Sequence, residues 1–260
     1  MVNITLEYQP FSFIKYKRKI EGFFPSSFGE LKPVQLIAIA KLLSTKPCIS
    51  ETAFLKFMTG VSKFRINKLD DYCRYQLMLL FEPFTDIKPY HAFIIPKIKA
   101  PNAVLYSPKP KLAKMTFGQF IFVETYFANF QTDKNPIDLH KFVASLYLPK
   151  LHAFDEDKIP ETGLLFAKVK PEILDAIVIN YVLVKEWLAL AYPLVFQRED
   201  EDETARPKKV NKSNNDFGWV KIFESIVGDD LIHQDLYGLL PVHTILRWMS
   251  TKIKENMKRK

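Results

Sequence analysis

Glycine is scarce in this chain, with 8 residues in 260. Tight β-hairpins and phosphate cradles both use backbone at positive φ, which glycine adopts without steric cost. So small a supply argues against a fold built from such turns. The apolar spacing agrees. After Pro25-Ser26-Ser27, Leu31, Val34, Leu36, Ile39, Leu42 and Leu43 recur at helical intervals, and Pro33 suits a first helical turn. A second short helix is expected from Ser50 as N-cap, through Phe54, Leu55, Phe57 and Met58, to Gly60. A third runs from about Asn67 to Phe81, and Pro83 stops it. Ahead of these, Ile4, Leu6 and Tyr8, then Phe11, Phe13, Ile14, Tyr16 and Ile20, stand among basic residues in a pattern that predicts one or two short strands.

Five prolines (Pro89, Pro96, Pro101, Pro108 and Pro110) exclude a helix between Asp86 and Lys114. Ala92–Ile95 and Val104–Tyr106 are expected there as short extended pieces, in a covered loop or an edge hairpin. Helical spacing then resumes. Met115-x-x-x-Gln119-Phe120 parallels Leu31-x-x-x-Gln35-Leu36, and Lys141-Phe142-Val143, between Pro136 and Pro149, parallels Lys56-Phe57-Met58. Trp187, in a long helix from about Pro171 to Phe196, falls opposite Leu77. The offsets from Gln35 to Gln119, Lys56 to Lys141 and Leu77 to Trp187 are 84, 85 and 110 residues, so a second copy would hold an insertion near 150–168. This is either an internal duplication or the likeness that any two amphipathic helices share.

The expected fold class is mainly α: two similar three-helix units, with a short β-like N-terminus, a Pro-rich insertion and a C-terminal helical pair. Divisions fall at 1–85, 86–114, 115–197, 198–216 and 217–260. Residues 198–216 carry the acidic run Glu199 to Glu203 and then Arg206, Lys208, Lys209 and Lys212, with almost no apolar side chain. Such a segment cannot offset its ordering entropy and is expected to be a mobile linker. The closing pair runs from Trp219 to Val227, ended by Gly228, and from Leu239 to Met249, leading into a basic tail.

Catalysis would need its residue types in recognisable patterns. The chain has no GxGxxG, no GxxxxGK[ST] and no Gly-x-Ser-x-Gly. His91, His140, His152, His233 and His243 form no i,i+4 pair and no His-x-Glu signature; His233 and His243 meeting across a hairpin would supply half a metal site. Asp70-Asp71 reads as a helix start, Asp229-Asp230 as a turn and Asp155-Glu156-Asp157 as a loop. No catalytic residue, cofactor or metal is therefore expected, and the protein reads as non-enzymatic. Cys48 and Cys73 read as buried, reduced thiols. With no signal-like N-terminus and no apolar run of about 18 residues, a cytoplasmic protein that does not enter the membrane is expected.

Two positive signals remain. The chain holds 22 Phe and 11 Tyr, and Phe117, Phe120, Phe122, Tyr126, Phe127 and Phe130 cover more than one face of a single helix. Such a helix either lies central in the core or shares a face with another chain. Candidate partner anchors are Phe117, Phe120, Tyr126, Phe127, Trp187, Trp219 and Trp248, contacting another protein or a second copy. The net charge is +8, gathered at Lys15 to Lys19, in the stretch 88–114 and at Lys252, Lys254, Lys258, Arg259 and Lys260. These clusters are either solvated faces or phosphate contacts. The alternative function is thus a nucleic-acid-binding accessory protein using Lys15, Lys17, Arg18, Lys19, Lys258 and Arg259, although no helix-turn-helix, zinc or RNP motif accompanies them.

Leu31-x-x-x-Gln35-Leu36, Met115-Thr116-Phe117-Gly118-Gln119-Phe120 and the pattern Gly218-Trp219…Ile226-Val227-Gly228-Asp229-Asp230…Leu240-Pro241 together resemble proteins of the tail-assembly region of phages and prophages. Small cytoplasmic tail assembly chaperones are the nearest kind. The resemblance implies an α-helical, non-enzymatic protein that sheathes a helix-forming tape-measure protein until the tail tube polymerises around it. It covers three short stretches. The chain departs from the pattern in its length, its β-like N-terminus and its Pro-rich insertion.

Overall fold

The computed structural model describes residues 1–10, 16–44, 49–150, 152–196 and 218–259. The expected linker 198–216 lies outside the described residues, as do Lys15 and Cys48. The chain is mainly α-helical. It forms two compact units, one of Met1–Tyr90 with Lys170–Glu186 and one of His91–Val169 with Trp187–Lys260.

The first unit opens with the expected strands. β1 (Val2–Tyr8) and β2 (Arg18–Phe24) pair antiparallel, Val2 opposite Phe24 and Tyr8 opposite Arg18. Alternation buries Ile4, Tyr8, Ile20 and Phe24. α1 (Pro33–Leu43) and α2 (Glu51–Thr59) follow, with Ser50 Oγ accepting from the Ala53 amide at 3.4 Å and Gly60 closing α2 at φ 75°. That left-handed angle is one that glycine takes without strain. The helix expected over 67–81 is shorter, α4 (Asp71–Leu79), and a separate turn of helix, α3 (Lys63–Ile66), precedes it. Asp70 sets the later start: its carboxylate caps α4 by accepting from the Cys73 amide at 2.7 Å, which lowers its pKa. Cys73 is half-buried and unbridged, and burial pushes its thiol pKa up. Phe28, Phe54, Phe81 and Phe84 form the aromatic core, with edge-on pairs 5.2 and 5.3 Å apart.

In the second unit, β3 (Lys97–Ala100) and β4 (Ala103–Tyr106) form a hairpin, and β5 (Leu148–Pro149) adds to β4. Val104–Tyr106 is extended as expected, whereas Ala92–Ile95 lies outside the strands. Asn102, at φ 64°, completes a tight turn that pairs Ala100 with Ala103 and so fixes the first strand beyond Pro96. Next come α5 (Phe117–Asp133) and α6 (Pro136–Leu146), then α7 (Ile159–Phe166), which occupies the expected insertion. α8 (Pro171–Ala191) ends before the expected Phe196. The C-terminal pair is a set of three: α9 (Gly218–Val227), α10 (Gln234–Leu239) and α11 (Val242–Arg259). At the start of α6, Asn135 Oδ1 accepts from the Ile137 amide at 3.0 Å. Asn135→Ala should therefore cost about 1 kcal/mol, read as a lowered thermal midpoint.

The paired helices α1–α2 and α5–α6 share one device. Gln35 and Gln119 both occupy the third position of their helix and both are buried. Gln35 Nε2 donates to the Met58 carbonyl at 2.9 Å, and Gln119 Nε2 donates to the Ser145 carbonyl at 2.8 Å. Met58 and Ser145 are each the next-to-last residue of the following helix. In each pair the amide satisfies a carbonyl that has no further turn to bond, and so ties the start of one helix to the end of the next. Leu36 with Ile39, and Phe120 with Val123, lie fully buried one face away. The third helices differ, α4 having 9 residues and α8 having 21.

Candidate functional site

α5 begins where the polypeptide meets its own C-terminal segment. The Phe117 amide donates to the Leu240 carbonyl at 2.8 Å, and the Val242 amide donates to the Met115 carbonyl at 3.0 Å. Gly118 makes the close approach of α10 possible, because a Cβ there would lie 3.2 Å from the Gly238 carbonyl oxygen. α9 covers the aromatic face. Trp219 stands edge-on to Phe120 at 4.9 Å and to Phe117 at 6.2 Å, and Phe223 lies 6.2 Å from Phe117.

Between α5, the loop His152–Lys158, α9 and α10 lies a cavity of about 770 Å³. Ile121, Phe122, Phe154, Val220, Phe223 and Leu239 give it largely apolar walls. Phe122 packs against Phe154 at 5.5 Å. Asp155, Glu156, Asp235 and Lys158 bring charge to the lining. Asp155 pairs with Lys158 at 2.7 Å, and that bond holds the carboxyl below its ordinary range and the ammonium above its own. With one acid neutralised, the lining keeps a negative excess on a protein of net charge +8. Beyond Leu239, Leu236 one turn earlier is 58% exposed, and Leu231 and Ile232 are 70% and 92% exposed. Four large aliphatic side chains so placed form an apolar surface that water does not favour.

The expected anchors are distributed unevenly. Phe117, Phe120 and Trp219 come together, but Phe117 and Phe120 are fully buried by the chain itself, so a partner would reach them only by displacing α9. Phe127 is buried against Phe142 at 5.3 Å, and Tyr126 is half-buried with Lys141 Nζ 5.5 Å from its ring. Trp187 lies apart among His91 and His243, and Trp248 is 44% exposed on α11. Of the basic candidates, Lys17 pairs with Glu7 at 3.7 Å, and Arg18 donates to the Tyr16 hydroxyl at 3.2 Å. Lys19 is exposed on β2 of the same hairpin, whereas Lys258 and Arg259 are exposed at the end of α11 in the other unit.

Sequence reasoning missed α10 and gave its Leu239 to the last helix, which in fact starts at Val242, because a helix of 6 residues that contains Gly238 has too few turns to show a period. It also missed a stripe on α4, where Tyr72, Tyr75 and Leu79 are 71%, 60% and 45% exposed at i, i+3 and i+7. Their spacing was visible, but nothing in it tells an outward stripe from a core one. Among the described residues, no group of three or more His, Cys, Asp or Glu could hold a metal ion. Among them also, no helix is long and apolar enough to cross a membrane. Comparison with family models, with curated proteins and with solved structures finds no match in any of the three.

Proposed function

We propose that this is a non-enzymatic helical protein-binding protein, a phage or prophage tail assembly chaperone or tail-associated assembly factor that holds a helical partner in the host cytoplasm. The observation that carries the reading is the apolar cavity on α5 with the exposed leucines of α10 at its edge. α9 already rests on α5 as an amphipathic helix, with Trp219 and Phe223 as its anchors. A partner helix of the same pattern would set one apolar side chain into the cavity and lie over Leu236 and Leu239. The negative excess of the lining favours basic residues flanking that stripe. The tail-assembly part of the reading rests on the resemblance of the Gln35, Gln119 and Gly218–Pro241 stretches.

The test is co-expression with helical products of the neighbouring genes, tape-measure-like proteins first. A complex should form, and Leu236→Asp with Leu239→Asp should weaken it by at least about 100-fold, as expected for two anchors. Both positions are exposed, so the helical circular dichroism of the double variant should match the parent. A neighbour-encoded partner that binds the double variant equally well would sink this site. Self-association lost in the same variant would make a second copy the occupant instead.

A further inference from the structure

The second unit holds another feature that the protein-binding reading does not use. Residues 110–114 form a strained turn: Lys111, Leu112 and Lys114 have φ of 62°, 53° and 71°. Left-handed backbone at three non-glycine residues persists only where surrounding bonds fix it. Here they do. The Lys111 amide donates to the His91 carbonyl at 2.6 Å, Leu112 is fully buried, and the Lys111 carbonyl accepts from His243 Nε2. A carbonyl can only accept, so Nε2 is the donor there, and Nδ1 on the other side of the ring lies 2.7 Å from the Tyr192 hydroxyl. Tyr192 stacks on His243 at 5.7 Å, and Trp187 stands edge-on to it at 6.1 Å.

These groups line an open bowl of about 660 Å³ whose two charged residues, Lys111 and Arg247, are both cations. Arg247 donates its Nε to the His243 carbonyl at 3.2 Å, which leaves the terminal guanidinium nitrogens for an anion. Arg247 also begins a basic track. On α11, Arg247, Thr251, Lys254 and Lys258 follow at i, i+4, i+7 and i+11, all exposed, and span about 16 Å along the axis. An aromatic bowl beside a row of cations matches a stacked base joined to successive phosphates.

We propose that this bowl and the α11 track bind single-stranded nucleic acid, with one base against Trp187 and Tyr192 and phosphates on Lys111, Arg247, Lys254 and Lys258. Base faces are common to every sequence, so recognition is sequence-tolerant. The inference does not rest on the protein-binding reading, since none of these residues lines the α5 cavity.

The experiment is fluorescence anisotropy of the full chain with a labelled oligothymidylate of about a dozen nucleotides. Binding should fall with salt at a logarithmic slope of about −3, from four phosphate contacts. Arg247→Ala and Lys111→Gly should each weaken binding about 10-fold, and Trp187→Leu by a similar factor. Lys111→Gly removes a charge while easing a left-handed angle, so its thermal midpoint should equal or exceed the parent's and a loss of binding is not a loss of fold. Absence of binding at about 50 mM salt overturns the proposal. So does binding that polyglutamate displaces equally well and Trp187→Leu leaves unchanged, since that is attraction to any polyanion. Binding of AMP without binding of the strand also overturns it and assigns the bowl to a free nucleotide.

Discussion

Phe120→Ala should lower the unfolding free energy of the second unit by about 3–5 kcal/mol. Phe120 is fully buried at the centre of the aromatic face of α5, and Trp219 of α9 stands edge-on to it. Truncation removes both the transfer energy of the ring and the surface on which α9 rests. The protein supplies its own reporter, because Trp187, Trp219 and Trp248 all belong to the second unit. Denaturant titration followed by tryptophan emission should show the lower midpoint. Emission of the folded variant should also move to the red as Trp219 gains water. A variant with the parental midpoint would mean that α9 does not depend on this contact and that Phe120 does not anchor it to α5.

Gln119→Glu should cost about 3 kcal/mol or more at neutral pH, although the substitution reads as harmless in the sequence. At an exposed helix start a glutamate in the third position is favourable. Here the amide is buried and donates to the Ser145 carbonyl at 2.8 Å. A carboxylate cannot donate, so two acceptors would face each other in a dry site. Only the protonated acid restores the bond, so the folded state raises the pKa of the new carboxyl above the unfolded value of about 4.3. The deficit is therefore smallest below that value and grows as pH rises through the folded pKa. Urea titrations at several pH values should show the variant approaching the parent in acid. Gln35→Glu should behave alike in the first unit, followed by circular dichroism because that unit has no tryptophan. A flat pH dependence in both variants would mean that neither amide is the tie described.

Much of the helical architecture is legible where punctuation and period agree. Pro33, Ser50, Gly60, Pro136 and Gly228 all mark real helix ends. The reading faltered where local chemistry outweighs period. Asp70 starts α4 later than the apolar pattern does, because its carboxylate satisfies the amide of Cys73. α7 opens with Ile159-Pro160 and carries Gly163, which a scan for strong helix formers passes over. The candidate site was half legible. Trp219, Phe117 and Phe120 do converge, but that the chain itself fills this face follows from which residues the fold brings together. The bowl was less visible still, since Lys111, Trp187, Tyr192 and His243 come from three separate stretches. Positive φ at Lys111 and Leu112 leaves no mark in residue types that rarely adopt it.

The route of the chain through its two units has a consequence for synthesis. The first unit takes Met1–Tyr90 and then Lys170–Glu186, so 79 residues of the other unit intervene. The late segment is integral: Asn180 and Tyr181 are fully buried, Lys41 pairs with Glu172 at 3.0 Å, and the Tyr90 amide bonds the Leu183 carbonyl at 3.0 Å. A ribosome adding about 5–20 residues per second needs roughly 4–16 s to cover that interval. Throughout it the nascent first unit lacks the helix that completes its core. A fragment ending at Tyr90 therefore needs residues 170–186 supplied, in the same chain or as a separate peptide, before it can settle.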